Sequence, residues 1–159
     1  MPPLRRRIEE FLDAHHVMSL ATAGAAGAAG EPVVHAASVM YARRGLVLYW
    51  TSDPRTRHSR QAARDGRVSV TIAPDYSDFR AIRGLQLAGE AARLEGPEAL
   101  EARALLVRRY AFLAELDAGP PELRAALEKA SFYRLRPACI TLIDNSLGFG
   151  HRETLDCTA

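Results

Sequence analysis

YWTSDPRTRHSRQAARDGRVSV, residues 49–70, joins the end of one apolar run to the start of an alternating run. The apolar run at residues 46–51 and the alternation at residues 67–73 are both typical of β-strands. Residues 54–64 between them are predicted to form a short helix, because proline suits the first helical position. The stretch therefore predicts a strand–helix–strand unit whose first strand ends in hydroxyl groups, arginines and a histidine.

The polar end of this first strand has two explanations, a solvated loop or an anion-binding segment. Thr51 and Ser52 carry hydroxyl groups that can donate to an oxyanion. A helix that begins at Pro54, with Ser52 or Asp53 as its N-cap, would point free N–H groups at the strand end and attract an anion. Arg57 adds a planar fork of donors that matches a phosphate. The alternative is an ordinary solvated helix with a capping aspartate.

The rest of the chain is richer in predicted strands than in predicted helices. Periodicity predicts helices at residues 4–15, 97–116 and 121–129, strands at residues 17–22, 32–42, 79–94, 131–136 and 138–144, and a flexible glycine-rich hairpin loop at residues 24–30. Because strands and helices do not alternate, the expected fold class is mainly β with peripheral helices, in a mostly antiparallel barrel. No linker or internal repeat is evident, so residues 1–159 are expected to form a single domain.

Composition argues against several classes of protein. A chain of 159 residues with 48% hydrophobic content suits one domain with a buried core. No apolar run approaches the roughly 20 residues that span a bilayer, and no signal core follows the basic residues 5–7. Cys139 and Cys157 are expected to be free thiols in a reducing cytoplasm, with no disulfide and no metal site. A net charge of +2 is too small to indicate nucleic-acid binding.

Several short motifs resemble those of a known family. Residues 16–94 contain, in order, SLAT, an EP-strand, YWT–TRH–ARDGRVSV and RGLQLAGEA, and they resemble the FMN-binding split barrels related to pyridoxamine 5'-phosphate oxidase. DNSLGFG at residues 144–150 is similar to the DNTLGFG ending of the YhbP-like subfamily. The resemblance implies a six-stranded antiparallel split β-barrel that binds FMN. It also implies a cytoplasmic homodimer with the cofactor at the two-fold interface and a small-molecule substrate.

The resemblance also assigns expected cofactor-binding residues. Relatives hold the FMN phosphate with a hydroxyl, an arginine and a lysine, and the matching positions are Thr56, Arg57 and His58. Since histidine replaces lysine, phosphate affinity is expected to depend on pH. The segment expected along the flavin comprises His35, Ala36, Ala37, Ser38 and Val39. Trp50 and Thr51 match an aromatic–threonine pair that lines the flavin. Asn145 and Arg152 are the C-terminal residues expected to reach over it, with Asp144, Phe149 and His151 nearby.

Departures from the family pattern leave the reaction open. Ile143, Asp144 and Asn145 stand where a true pyridoxamine phosphate oxidase has Trp-Gln-Gly, and only His151 and Arg152 remain near its Arg-x-His-x-Arg motif, so that activity is not expected. Three functions stay open: an FMN-dependent oxidoreductase acting on a small molecule, a split barrel that binds deazaflavin or haem, and a non-catalytic flavin-binding or sensing protein. No catalytic residue is identified.

Overall fold

A computed structural model describes residues 1–24 and 33–159. Its helices are α1 Leu4–Ala14, α2 Arg57–Arg64, α3 Gly96–Arg109, α4 Ala111–Glu115 and α5 Pro121–Lys129. Its strands are β1 Val17–Ala23, β2 Val34–Met40, β3 Ala42–Arg44, β4 Val47–Ser52, β5 Arg67–Ile72, β6 Arg83–Leu94, β7 Ser131–Asp144 and β8 Arg152–Asp156. The predicted glycine-rich loop lies outside the described residues apart from Gly24.

The strands form one antiparallel sheet with the order β2-β1-β5-β6-β7-β4-β3, and β8 pairs with β7. This arrangement confirms a mainly β fold with peripheral helices, although the sheet has eight strands among the described residues where the family resemblance implied six. Strand β7 holds the sheet together, because one of its edges pairs with β6 along its length while the other pairs first with β4 and then with β8. Opposite Ala88 and Gly89 of β6, strand β7 has one extra residue, Ala138, and this bulge bends β7.

The core lies inside the curved sheet and follows from the alternation of its strands. In β1 and β5 every second side chain is buried, including Met18, Leu20 and Val70. Trp50 is 1% exposed and stacks on Tyr133, with ring centroids 5.6 Å apart. Each large apolar side chain buried in this way contributes about 1.5–3 kcal/mol through the hydrophobic effect. The core therefore fixes which face of each strand points outward.

Helix α1 covers one opening of the barrel and is held there by residues far from it in the sequence. Its buried residues include Ile8 and Leu12. Its C-terminal carbonyl groups are bonded from outside the helix, because the Tyr41 hydroxyl donates to the Leu12 carbonyl oxygen at 2.8 Å. The Arg109 guanidinium, at the end of α3, donates to the carbonyl oxygens of Leu12, Asp13 and His15. Within the described residues, no helix is long and apolar enough to cross a membrane.

Several predicted boundaries were wrong, and the beginning of α2 matters most for the site. The helix begins at Arg57, not at Pro54, and its N-cap is Thr56, whose side chain accepts from the Ser59 N–H. Asp53 was a predicted cap, but its carboxylate accepts from the N–H of Arg55 at 2.8 Å and so stabilises a turn before the helix.

Other differences concern the strands. The predicted strand at residues 32–42 is two strands, β2 and β3, and the two predicted closing strands are the single strand β7. The strand predicted from residue 79 begins at Arg83, and the helix predicted at residues 97–116 divides after Arg109. Strand β8 was not predicted.

Candidate functional site

Three side chains converge where β4 ends and α2 begins. The His58 Nε2 atom lies 2.7 Å from the Ser52 hydroxyl and 3.2 Å from the Thr56 hydroxyl. Thr56 is in turn fixed by a hydrogen bond from its hydroxyl to the Asp53 carbonyl at 2.8 Å. We call Ser52, Thr56, Arg57 and His58 the β4–α2 cluster. Its hydroxyl and imidazole side chains contact one another, and Arg57 is the first residue of α2. Hydroxyl, guanidinium and imidazole groups at a helix N-terminus favour an anion.

Arg57 is the member of this cluster whose hydrogen bonding is incomplete. Its Nε atom is buried and has no hydrogen-bond partner in the part of the chain that the structure describes. A buried donor on a charged group costs free energy unless an acceptor is found. Two arginines close by are paired, since Arg55 bonds to Asp53 and Arg67 bonds to Asp65. An anion beside Arg57 would supply the missing acceptor.

His58 is held next to a second histidine from β2. The rings of His35 and His58 are nearly parallel, with an interplanar angle of 6° and centroids 6.3 Å apart. Burial lowers the pKa of His58 below its ordinary value of 6.5, and the proximity of His35 lowers that pKa further. His58 is therefore neutral at pH 7 when no anion lies beside it.

The five residues expected along the flavin divide between the two faces of β2. Ala36 and Ser38 are exposed on the outer face, whereas His35, Ala37 and Val39 point inward and are half-buried. A strand alternates its side chains in this way, so the side chains of all five cannot line one flat ring. The small outer side chains leave that face of the backbone accessible. The inward His35 instead reaches α2.

Trp50 and Thr51 also lie on opposite faces, and neither belongs to the β4–α2 cluster. Trp50 is a core residue, as its stacking on Tyr133 shows. Thr51 donates its hydroxyl to the Ser131 carbonyl at 3.0 Å, so that hydroxyl is committed to the sheet rather than directed at an anion. The anion-binding role expected of Thr51 stays a prediction that requires this hydrogen bond to break, whereas the hydroxyl of Ser52, on the inner face, joins Thr56 and His58.

Asn145 and Arg152 are not brought to the β4–α2 cluster within one chain. The cluster lies by the Ser131 end of β7, since Ser52 pairs with Ser131. Asn145 follows the other end of that 14-residue strand, about 40 Å away at 3.3 Å per residue. Its side chain braces the C-terminal loop, donating to the Phe79 carbonyl at 2.7 Å and accepting from the Gly150 N–H at 3.1 Å. Arg152 is exposed on β8.

An open cavity adjoins the outer face of β2 and was missed by the sequence prediction. Its volume is about 370 Å³, and Ser38, Val39 and Thr51 form one wall. The opposite wall comes from α3, α4 and α5, including Leu106 and Tyr110. The helical spacing of residues 97–116 predicts an apolar face. Nothing in that spacing indicates that this apolar face borders a cavity instead of packing directly against the sheet.

Sequence comparison identifies the family. The model of the pyridoxamine 5'-phosphate oxidase family matches residues 4–142. The chain is 31% identical over 113 residues to the UPF0306 protein YhbP of Salmonella paratyphi A, which covers 71% of this chain and 69% of that protein. It is 28% identical over 146 residues to a UPF0306 protein of Serratia proteamaculans, covering 92% of this chain and 90% of the relative.

Solved structures with the same fold include haem-binding proteins. A haem-binding protein from Mycobacterium smegmatis superimposes with a TM-score of 0.73 and 25% identity, over 98% of this chain, which spans only 59% of that protein. The haem storage protein HutZ of Vibrio cholerae superimposes with a TM-score of 0.65 and 17% identity, over 98% of this chain and 95% of its own. The likeness to HutZ shows the fold alone.

Proposed function

The chain belongs to the pyridoxamine 5'-phosphate oxidase family, and on that premise we propose that it binds FMN and is a flavin-dependent oxidoreductase acting on a small molecule. The buried, unpaired Nε of Arg57 beside Ser52, Thr56 and His58 is the observation that carries the proposal. These groups fit a phosphate, because it offers several acceptor oxygens and a charge that matches the guanidinium.

The residues of this chain would bind and orient the cofactor. Arg57 would supply the charged contact to the phosphate, and the Ser52 hydroxyl would donate to it. The Thr56 hydroxyl would do the same by turning away from the Asp53 carbonyl, and His58 would gain a proton beside the phosphate. Ala36 and Ser38 leave the β2 backbone open to a flat ring. FMN would supply the electron-transfer chemistry. Two free thiols, Cys139 and Cys157, support the further proposal of a cytoplasmic location.

The site for a second phosphate, which a pyridoxamine phosphate oxidase needs for its substrate, has no counterpart at residues 143–145. The Asp144 carboxylate is buried and pairs with Arg83 at 3.1 Å. It also accepts from the Ser146 N–H at 3.1 Å. An acidic group that is fixed in this way repels a phosphate. We therefore propose a different small-molecule substrate.

We also propose a homodimer with the cofactor at its interface. The outer sheet face carries two rows of exposed residues without charge, in register across β2, β1, β5 and β6. They are Ala36, Ala21, Ser69 and Ala88 in one row and Ser38, Ser19, Thr71 and Gln86 in the next. A flat face of small, neutral side chains suits a two-fold contact. In a dimer, Asn145 and Arg152 of one copy would be able to reach the cofactor bound by the other copy, which they do not reach within one chain.

The dimer is expected to dissociate when charge is placed on this face. Ala21→Arg puts a cation in the middle of the first row. In a two-fold dimer this arginine would either face the same arginine of the second copy and be repelled, or be buried without an anionic partner. Light scattering at micromolar concentration should show a dimer for the unmodified protein and a monomer for the variant. Ala125→Arg, on the exposed side of α5, is the matched control and should remain dimeric. A monomeric unmodified protein would refute the dimer.

Haem is the second candidate ligand. The protein from Mycobacterium smegmatis to which this chain is similar is described as haem-binding, and the parallel pair His35 and His58 offers imidazole nitrogens that can ligate iron. A visible spectrum of the purified protein, loaded with FMN, haem or a deazaflavin and then desalted, separates the candidates. Retained flavin bands support FMN, a Soret band supports haem, and a deazaflavin band supports the third ligand. Anaerobic titration with NADH or NADPH then separates an oxidoreductase from a sensor without turnover.

FMN affinity is expected to rise as the pH falls, because His58 gains a proton next to the phosphate. The free-state pKa of His58 is lowered by burial, and the bound phosphate raises that pKa by favouring the charged form. The pH interval in which affinity changes therefore lies between the two pKa values and extends below 6.5. The FMN phosphate itself takes up a proton near pH 6, which opposes the gain at the acid end.

Fluorescence titration of FMN from about pH 5.5 to 8 tests this dependence. His58→Lys should bind FMN with an affinity that changes little above pH 6.5 and should bind it more tightly than the unmodified protein at the alkaline end. Riboflavin is the control, since it has no phosphate. Parallel curves for the two proteins would place His58 away from the phosphate.

A further inference from the structure

Two open cavities meet between the sheet and helices α3–α5. The cavity described above, of about 370 Å³, and a neighbouring one of about 420 Å³ share the lining residues Thr51, Leu106, Leu113 and Leu127. Each lies in the size range of small-molecule sites. Because they share four lining residues, we treat them as one joined cavity.

The part of the joined cavity next to β2 is apolar. None of the described residues that line it carries a charge, and its walls include the rings of Tyr110 and Phe112. Ser38 and Thr51 are the polar residues on the sheet side, and the Thr51 hydroxyl is already bonded to Ser131. The lining of the neighbouring part includes Arg103, Arg124 and Glu128. A phosphate would find no partner in the first part, whereas an aromatic ring would.

The helices that cover this cavity are weakly anchored. Neither α4 nor α5 has a buried residue, whereas α3 buries Ala102 and Leu106. Phe112 of α4 and Leu123 of α5 line the cavity and are nevertheless 48% and 47% exposed. Elements that bury little apolar surface open at a lower free-energy cost than the core does. Helices α4 and α5 can therefore move aside for a ligand more easily than any strand can.

We propose that the part of the joined cavity next to β2 is the substrate site, that its substrate is an uncharged aromatic molecule, and that α4 and α5 open to admit it. This inference rests on the proposed function, because Ser38 and Val39, which were expected to lie along the flavin, stand on the cavity wall. An aromatic ring stacked there would lie beside the same stretch of β2 as the cofactor.

The test uses 2-naphthol as the probe, with no FMN present, and measures its binding by saturation-transfer NMR and calorimetry. Ala126→Trp places an indole in the cavity and should weaken 2-naphthol about tenfold or more. Ala125→Trp is the matched control one position away on α5, because both alanines are exposed but only Ala126 lines the cavity. It should bind 2-naphthol as the unmodified protein does. Circular dichroism confirms that both variants fold, and Leu123→Glu repeats the test with a charge.

Three outcomes would overturn the assignment. One is no binding of 2-naphthol, and another is equal binding by the Ala126→Trp and Ala125→Trp variants. The third is displacement of 2-naphthol by FMN, which would show that the cavity binds the cofactor and not the substrate. The negatively charged 2-naphthalenesulfonate should bind more weakly than 2-naphthol, and tighter binding would refute an uncharged substrate. If the protein fails to bind FMN, the proposed function is refuted. The 2-naphthol experiment can still be interpreted in that case, because it is carried out without FMN.

Discussion

Arg57→Ala is expected to weaken FMN binding about tenfold to a hundredfold while leaving riboflavin binding unchanged. The guanidinium would make a charge-assisted contact with the phosphate, and such a contact contributes about 1.5–3 kcal/mol. Because riboflavin has no phosphate, its binding affinity should not change when this contact is lost. The measurement is a pair of fluorescence titrations, one for each ligand, on the variant and on the unmodified protein.

Arg60→Ala provides the matched control for Arg57→Ala. Both arginines lie in the first turn of α2, but Arg60 is exposed, and its side chain makes no described hydrogen bond or ion pair with the β4–α2 cluster. Its removal lowers the local positive potential without removing a direct contact. An equal loss of FMN and riboflavin affinity in the Arg57→Ala variant would indicate a folding defect. An equal loss of FMN affinity in both variants would mean that general charge, not a specific contact, attracts the phosphate.

Gly89→Ala is expected to lower the free energy of unfolding by about 3 kcal/mol, and the melting temperature by about 6–12 °C. Gly89 lies at the bulge between β6 and β7. A Cβ atom at this position would lie 2.2 Å from the Arg136 carbonyl oxygen and 2.7 Å from the Pro137 Cα. Both contacts are with backbone, so relief requires the two longest strands to separate. Thermal unfolding followed by circular dichroism measures the loss.

Gly84→Ala is a graded control for Gly89→Ala on the same strand. The nearest atom to its added Cβ would be the Ile72 carbonyl oxygen at 3.1 Å, which a small backbone shift relieves. This variant is expected to lose less stability than Gly89→Ala. Similar losses in the two variants would show that the close approach at the bulge is not what makes Gly89 necessary.

Local patterns in the sequence predicted most of the elements and part of the site. The apolar alternation of residues 67–73 and the amphipathic pattern of residues 4–15 correspond to β5 and α1, because each depends on neighbouring residues alone. The grouping of Thr56, Arg57 and His58 was predictable because all three belong to one short segment. The N-cap was not predictable from the sequence, because an aspartate can cap a helix or stabilise a turn equally well. Here the Asp53 carboxylate accepts from the N–H of Arg55 in a turn.

What the sequence did not predict depends on residues far apart in the chain. Strand β8 has three charged residues among its five, Arg152, Glu153 and Asp156, and pairs only with β7, so nothing within the segment marks it as a strand. The stacking of His35 on His58 requires β2 to pass over α2, which no local pattern indicates. The separation of Asn145 from the β4–α2 cluster follows from the length of β7. Tertiary pairing, not propensity, fixes each of these features.

The late position of β7 in the chain has a consequence for biosynthesis. Ser52 at the end of β4 must wait for its partner Ser131, and a ribosome adding about 5–20 residues per second needs several seconds to make the chain between them. During that time β4 is a nascent strand with an open edge, which other chains can pair with. Folding on the ribosome is therefore expected to finish only after the last third of the protein emerges. Truncated or stalled chains should aggregate and depend on chaperones.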